Sequence, residues 1–313
     1  MSRARAITLD APSRPAIIAI LNATPDSFYA GSTASHVADA IAMAQRHVQE
    51  GAAALDIGGE STRPGSSRID APTQIARVVP IIAAIRAHAD AALADIPISV
   101  DTTLAQVAAA ALDAGADAIN DVSAGTEDPD LLPLAATRGA GVILMHRALD
   151  PTRDRYSDAY AARDESRTAA PMGDDSTAVV HAVAQALATR IHAALAAGVT
   201  PDAILIDPGL GFGKTVAQNM ALIRASRALA MCTPGAPDPR RGWPVLSALS
   251  RKSFSGRVSL NRDSTPAERL EGTLALSVIH ADLASPFGAA AFRVHDVEPH
   301  VRALRAAAAA AGH

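Results

Sequence analysis

Cysteine is almost absent from this chain of 313 residues: Cys232 stands alone, so no intramolecular disulfide can form, which fits a reducing compartment. A lone thiol without a histidine motif beside it reads as a small buried apolar residue, not a nucleophile. An excess of one charge is also missing. Lys and Arg number 28 against 32 Asp and Glu, a formal net charge of -4. That balance gives no reason to expect nucleic acid or an acidic membrane as partner. The opening MSRARAITLD is basic, but no apolar run of signal-peptide length follows it. No uncharged stretch reaches the roughly 20 residues that span a bilayer. The expectation is a cytoplasmic protein acting on small molecules.

What the chain does have is alternation. Eight short apolar runs recur: Ala16–Leu21, Ala54–Gly58, Ile96–Val100, Ala118–Val122, Gly141–Met145, Ala203–Ile206, Val245–Leu249 and Ala290–Val294. None alternates polar with apolar, as expected of strands buried on both faces. Helical spacing fills the gaps: Val37, Ile41, Ala44 and Val48; Ile75, Val78, Val79, Ile82 and Ile85; Val179, Val183, Leu187 and Ile191. Thr265, Pro266 and Glu268 mark one helix start as a capping box. Eight strand–helix units in one domain over residues 1–313 predict a closed (β/α)8 TIM barrel, with a doubly wound open sheet as the alternative. Gly-, Pro- and Ser-rich loops at 23–35 and 61–72 interrupt the pattern, and a charged stretch at 149–175 reads as a surface insertion.

Barrel enzymes place their chemistry at the C-terminal ends of the strands. Asn22, Gly58 to Glu60, Asp101, Asn120 and Asp121, His146, Asp207, Ser250 to Ser253, and Arg293, His295 and Asp296 follow or end the eight runs. Asp101, Asn120 and Asp207 are oxygen acceptors for a flat heterocycle with N–H donors. Arg293, His295 and Lys252 suit a phosphate or diphosphate. Asn22 is a hard oxygen ligand suited to a partly hydrated Mg2+. Each has a plainer reading: Thr102 and Thr103 as caps beside Asp101, His146 as structural, Arg293 paired with Asp296. GLGFGKT, Gly209 to Thr215, imitates a P-loop, but Pro208 stands where that pattern needs its first glycine.

Seven ordered segments resemble the dihydropteroate synthases: ILNATPDSF (Ile20 to Phe28), GGESTRPGS (Gly58 to Ser66), SVDT (Ser99 to Thr102), AGADAINDVSAG (Ala114 to Gly125), LIDPGLGFGKT (Leu205 to Thr215), LSRKSFSG (Leu249 to Gly256) and RVHDV (Arg293 to Val297). The resemblance implies condensation of 6-hydroxymethyl-7,8-dihydropterin diphosphate with 4-aminobenzoate, the leaving group departing before attack, in a homodimer that uses Mg2+ and is open to sulfonamides. It implies that Asp101, Asn120, Asp207 and Lys252 hold the pterin between walls from Met145 and Phe212. Arg293 and His295 would take the diphosphate, and Asn22 the metal. Thr62, Arg63 and Pro64 on the second mobile loop, Phe28 on the first and Ser253 would shape the 4-aminobenzoate site, with Asp101, Lys252 and Arg63 as the catalytic set. Tyr29, Ala30 and HRALDP (His146 to Pro151) depart from the family pattern. Two alternatives stand beside this: a pterin-dependent methyltransferase domain, which has no use for SRKS or the Arg293–His295 pair, and a catalytically silent pterin-binding paralogue.

Overall fold

The computed structural model describes residues 15–23, 33–159, 176–282 and 285–312. Phe28, Tyr29 and Ala30, with most of the first loop, lie outside those residues, as does 160–175 of the insertion.

Eight parallel strands form the sheet: β1 Ala16–Asn22, β2 Ala54–Gly58, β3 Ile98–Asp101, β4 Ala118–Asp121, β5 Gly141–Met145, β6 Ile204–Asp207, β7 Leu246–Ser247 and β8 Ala291–Val294. Their order is β6-β5-β4-β3-β2-β1-β8-β7. The remaining seam between β6 and β7 is closed by a parallel bridge, Ile206 to Val245, and by Ile206 N–H donating to Pro244 O at 3.0 Å. The barrel is thus nearly closed, and the open-sheet alternative is excluded. β7 is only two residues long, and Val245 just before it forms the bridge to β6.

Helices α1 Thr33–Gln49, α2 Ala71–Arg86, α3 Ala91–Ala94, α4 Ala105–Asp113, α5 Leu131–Arg138, α6 Ser176–Ala197, α7 Val216–Arg224, α8 Ser226–Ala230, α9 Ser253–Leu260, α10 Leu270–Ala281 and α11 Val297–Ala310 surround the strands. The spacing on α6 is realised fully, with Val179, Val183, Leu187 and Ile191 wholly buried. By length and composition α6 is apolar enough to cross a bilayer. Here, however, its apolar stripe joins the barrel core, and Arg190 Nε donates to Ala124 O at 2.6 Å. On α2 the buried face is shifted. Gln74 is buried and Ile75 only partly so, because Gln74 Nε2 donates to Ile69 O (3.0 Å) and Glu60 Oε2 (3.3 Å) and holds the preceding loop. The Thr265 box forms, Glu268 Oε2 accepting from Thr265 N at 2.8 Å, but it heads a 3-10 turn, Pro266–Arg269, ahead of α10.

Strand parity divides the core. One set of side chains, including Ile17, Leu21, Leu55, Ile57 and Val100, points outward against the helices. The other set fills the barrel. Ala16, Ile18, Ala54, Ile143, Leu205, Leu246 and Ala291 form an apolar layer inside it. Two residues further along the same strands, Asp56, Asp207 and Arg293 replace that apolar layer with a polar one. Val122, Met145 and Phe212 form a small separate apolar group.

Candidate active site

The polar layer is organised by a residue that strand-end reading missed. Asp56, fully buried on β2, accepts from Arg293 Nε at 2.5 Å, Asn120 Nδ2 at 3.0 Å and Ser99 Oγ at 2.5 Å. Asp101, at the end of β3, accepts from Arg293 Nη2 at 2.7 Å. One guanidinium therefore bridges two carboxylates, and Asp56 orients both Arg293 and Asn120. The missed signal was parity: Asp56 lies two residues before Gly58 and shares the inward face with Ala54. The pairing of Arg293 with Asp296 expected as its plain reading does not form. Asp296 is taken by Arg251, at 2.9 and 2.5 Å.

Burial sets the charge states. It pushes the Asp101 carboxyl up to about 7, against the pull of Arg293. It raises Asp207 to about 6, opposed by the Gly209 N–H that donates to Asp207 Oδ1 at 2.7 Å and by Lys252. Lys252 is lowered to about 8 by burial and by Arg293, with Asp207 acting the other way. Its Nζ sits 3.9 Å from the centre of the Phe212 ring, a cation–π contact. His295 is held down at about 3 by burial and the neighbouring cations, so at neutral pH it is an uncharged imidazole. As a neutral ring it can offer an anion a hydrogen bond but no charge. Ser250 Oγ fixes it, accepting from the His295 backbone N–H and facing Nδ1, both at 3.1 Å.

Local backbone geometry aims these groups. Arg251 has φ 57°, the left-handed region that a non-glycine residue enters at a cost. The turn leaves Lys252 as N-cap of α9 with Ser253 as its first helical residue. The GLGFGKT loop is held by Lys214, which is wholly buried and donates to the carbonyls of Gly209 (2.8 Å), Phe212 (3.0 Å) and His146 (3.2 Å). The lysine of this P-loop look-alike is a loop staple with no phosphate role. A Cβ on Gly209 (φ 66°) would lie 1.7 Å from the His146 carbonyl oxygen. Gly209→Ala is accordingly expected to lower unfolding stability by about 2 kcal/mol or more, from left-handed strain plus the clash. Urea denaturation checks this.

One cavity at the C-terminal mouth of the barrel gathers Asn22, Thr62, Arg63, Pro64, Asp101, Lys252, Ser253, Arg293 and His295. Asn120 and Asp207 lie buried in the polar layer below, Asn120 tied to Asp56. Met145 and Phe212 join Val122 in the apolar group beside them. Arg63 is exposed at the rim and has no carboxylate partner among the described residues. His146 follows its plainer reading: burial holds it at about 3, and its carbonyl belongs to the Lys214 staple. Thr102 and Thr103 do not cap α4. Asp128 Oδ2 accepts from Ala105 N at 2.7 Å, and Thr102 Oγ1 donates to Gln74 Oε1 at 3.1 Å.

Part of the predicted insertion packs over this face as well. Pro151 O accepts from Gly65 N at 2.8 Å, Asp154 accepts from Gly213 N at 3.0 Å, and Ser157 Oγ accepts from Asn219 Nδ2 at 3.1 Å. Arg68 and Arg147, paired with Glu127 and near Asp150, fasten three loops together beside it.

A polar ring of acceptors and cations above an apolar barrel floor is the arrangement of an enzyme that binds a flat heterocycle next to an anion, and the chain belongs to the pterin-binding enzyme family, whose pattern matches residues 18–295. It is similar to the dihydropteroate synthase of Synechocystis, 39% identical over 285 residues, covering 91% of this chain and 86% of that one. It is also similar to the inactive dihydropteroate synthase 2 of Mycobacterium tuberculosis, 41% identical over 305 residues, covering 96% and 85%. Among solved structures, Xanthomonas albilineans dihydropteroate synthase with 4-aminobenzoic acid superposes with a TM-score of 0.77 at 36% identity, covering 99% of this chain and 96% of that one. The same enzyme is also known in complex with 7,8-dihydropteroate, with a TM-score of 0.75, 34% identity and coverage of 99% and 97%.

Proposed function

We propose that this chain is a dihydropteroate synthase, joining 6-hydroxymethyl-7,8-dihydropterin diphosphate to 4-aminobenzoate with release of diphosphate. The observation that carries the reading is the meeting of Asp101 and Asp56 with Arg293, beside Lys252 and His295, at one barrel mouth. Acceptors there suit the N–H edge of a pterin, and donors suit a departing anion. Asp101, Asn120 and Asp207 hold the pterin, with Met145 and Phe212 as its walls and Lys252 at its edge. Arg293 and neutral His295 donate to the diphosphate. The C–O bond at the methylene breaks, diphosphate carries away the electron pair, the aniline nitrogen forms the new C–N bond, and its proton passes to solvent. Fixed donors aimed at the departing charge need no reorganisation at that moment. Thr62, Arg63, Pro64 and Ser253 surround the incoming 4-aminobenzoate, and a sulfonamide competes for the same space.

Mg2+ is part of the proposal. No group of three His, Cys, Asp or Glu able to hold a metal occurs among the described residues, while Asn22 offers one oxygen in the same cavity as His295. One hard ligand fits an ion that keeps water and phosphate oxygens for the rest of its shell. When bound, it neutralises charge on the diphosphate. A homodimer and a cytoplasmic location complete the reading. A groove lined by Val180, Ala184 and Ala188 on α6, Ala221 on α7 and Cys232 past α8, with His181, Gln185 and Arg224 also in its lining, is the face offered to a second copy. Light scattering should give twice the 32.0 kDa chain mass, and a monomeric mass contradicts it.

The activity test is diphosphate release from the pterin diphosphate with and without 4-aminobenzoate. Release coupled to dihydropteroate formation is expected. The relatives named inactive favour a second reading, a silent pterin-binding protein, which predicts tight pterin binding without product. The methyltransferase reading leaves the SRKS segment and the Arg293–His295 pair without a use.

The charge states predict a narrow pH profile. Asp101 and Asp207 must be ionised to accept from the pterin, and Lys252 must keep its proton. kcat/KM should therefore fall as pH drops through about 7 and then about 6, and fall again above about 8. Initial rates across that range check it, and a flat profile contradicts the assignment.

A further inference from the structure

We infer that Tyr156 is a specificity-determining residue for the arylamine substrate, a ring wall supplied by the segment between β5 and α6. The inference rests on the synthase reading and deepens it. Tyr156 lines the same cavity as Thr62, Arg63, Pro64, Lys252 and Ser253, whereas the hydrogen-bonded Asp56 and Asn120 lie outside that lining. It is the only Phe, Tyr or Trp among the described residues that line that cavity. It is also 47% exposed, which leaves ring surface open to a bound molecule.

The backbone around it is held on both sides, so the exposure belongs to an anchored residue and not to a loose loop tip. Two residues before it, Asp154 is buried and accepts from the Gly213 N–H at 3.0 and 3.1 Å. One residue after it, Ser157 is buried against Asn219. Pro151 O accepts from Gly65 N, which ties the same segment to the loop carrying Thr62, Arg63 and Pro64. Tyr156 thus belongs to a segment tied to both the glycine loop and the second loop, and it lines the cavity between them. A flat aromatic amine seated among Pro64, Lys252 and Ser253 shares that cavity with the Tyr156 ring.

The chemistry of recognition is ring against ring, so the hydroxyl is dispensable and the ring is not. Tyr156→Ala should raise KM for 4-aminobenzoate about tenfold, the equivalent of about 1.4 kcal/mol. Tyr156→Phe should stay within about twofold of the parent chain. Affinity for the pterin diphosphate, measured separately by calorimetry, should be unchanged in both, because the pterin lies deeper. Because the residue is half exposed, the alanine variant is expected to fold, and its circular dichroism and melting point verify this.

The outcomes separate cleanly. If the parent chain forms dihydropteroate and Tyr156→Ala leaves KM for 4-aminobenzoate within twofold, the role of Tyr156 is overturned and the synthase reading stands. An equal loss of pterin affinity also overturns it, since that marks a general disturbance of the mouth. If the parent chain makes no product, the synthase reading fails and this inference falls with it. A selective rise in KM, restored by phenylalanine, supports it.

Discussion

Asp101→Asn should lower kcat/KM for the pterin diphosphate by about 10²–10³-fold while the chain stays folded. The carboxylate accepts from Arg293 at 2.7 Å and lies on the inner wall of the cavity, where the amide of asparagine offers one oxygen and puts two donors in place of the other. A pterin edge built of N–H groups then faces a donor, and a mismatched hydrogen bond in a buried site is costly. The fold is expected to survive because the native carboxylate is itself held at a cost. Its pKa is raised from 3.8 to about 7. The stability associated with its protonated form is complete below 3.8 and is lost as pH rises through about 7. An uncharged amide escapes that loss at neutral pH, although it gives up one of the two carboxylate partners of Arg293. Asp56 remains to hold the guanidinium. Steady-state kinetics together with a thermal melt separates the two effects, and near-normal turnover would remove Asp101 from the mechanism.

Lys252→Ala is the second large effect, expected at about 10²-fold in kcat/KM. Its ammonium lies over Phe212 and opposes the burial that raises Asp207. Removing the cation should push Asp207 further up and shift the acid limb of the pH profile to higher pH. That shift distinguishes loss of an electrostatic partner from a collapse of the pocket. Lys252→Arg should not restore activity, because the longer, planar guanidinium does not fit the buried space that holds a compact ammonium. A Cβ on Gly211 would already sit 3.0 Å from Lys252 Cδ, so the side chain has little room to grow. An unshifted pH limb in Lys252→Ala would contradict the coupling to Asp207.

The barrel was legible because strands buried on both faces leave unbroken apolar runs. All eight predicted runs contain the observed strands or overlap them, with no end displaced by more than two residues. The run Val245–Leu249 overshoots β7 because Val245 pairs with Ile206 as an isolated bridge to β6. Strand ends also pointed to the groups that gather at the mouth, because a parallel barrel brings all its C-terminal ends together. Asp56 was illegible for the converse reason. It lies inside a strand, where an acidic residue looks like an interruption until parity places it beside Asn120 and Arg293. Partner choice was equally hidden: Asp296 is three residues from Arg293 in sequence, yet Arg251, 45 residues away, takes it. The segment around Asp154 and Ser157 read as a surface excursion, with function and plain insertion equally open, because its hydrogen bonds go to groups of the glycine loop and α7 that no local pattern announces.

The spatial claim beneath all of this is tested most directly by a crystal structure of the chain with 6-hydroxymethylpterin bound. The account predicts the ring in the barrel mouth, its N–H edge on Asp101, Asn120 and Asp207, and one face against Met145 and Phe212. A pterin bound elsewhere, for instance in the side cavity between Arg147 and Arg190, with the barrel mouth empty, would contradict it.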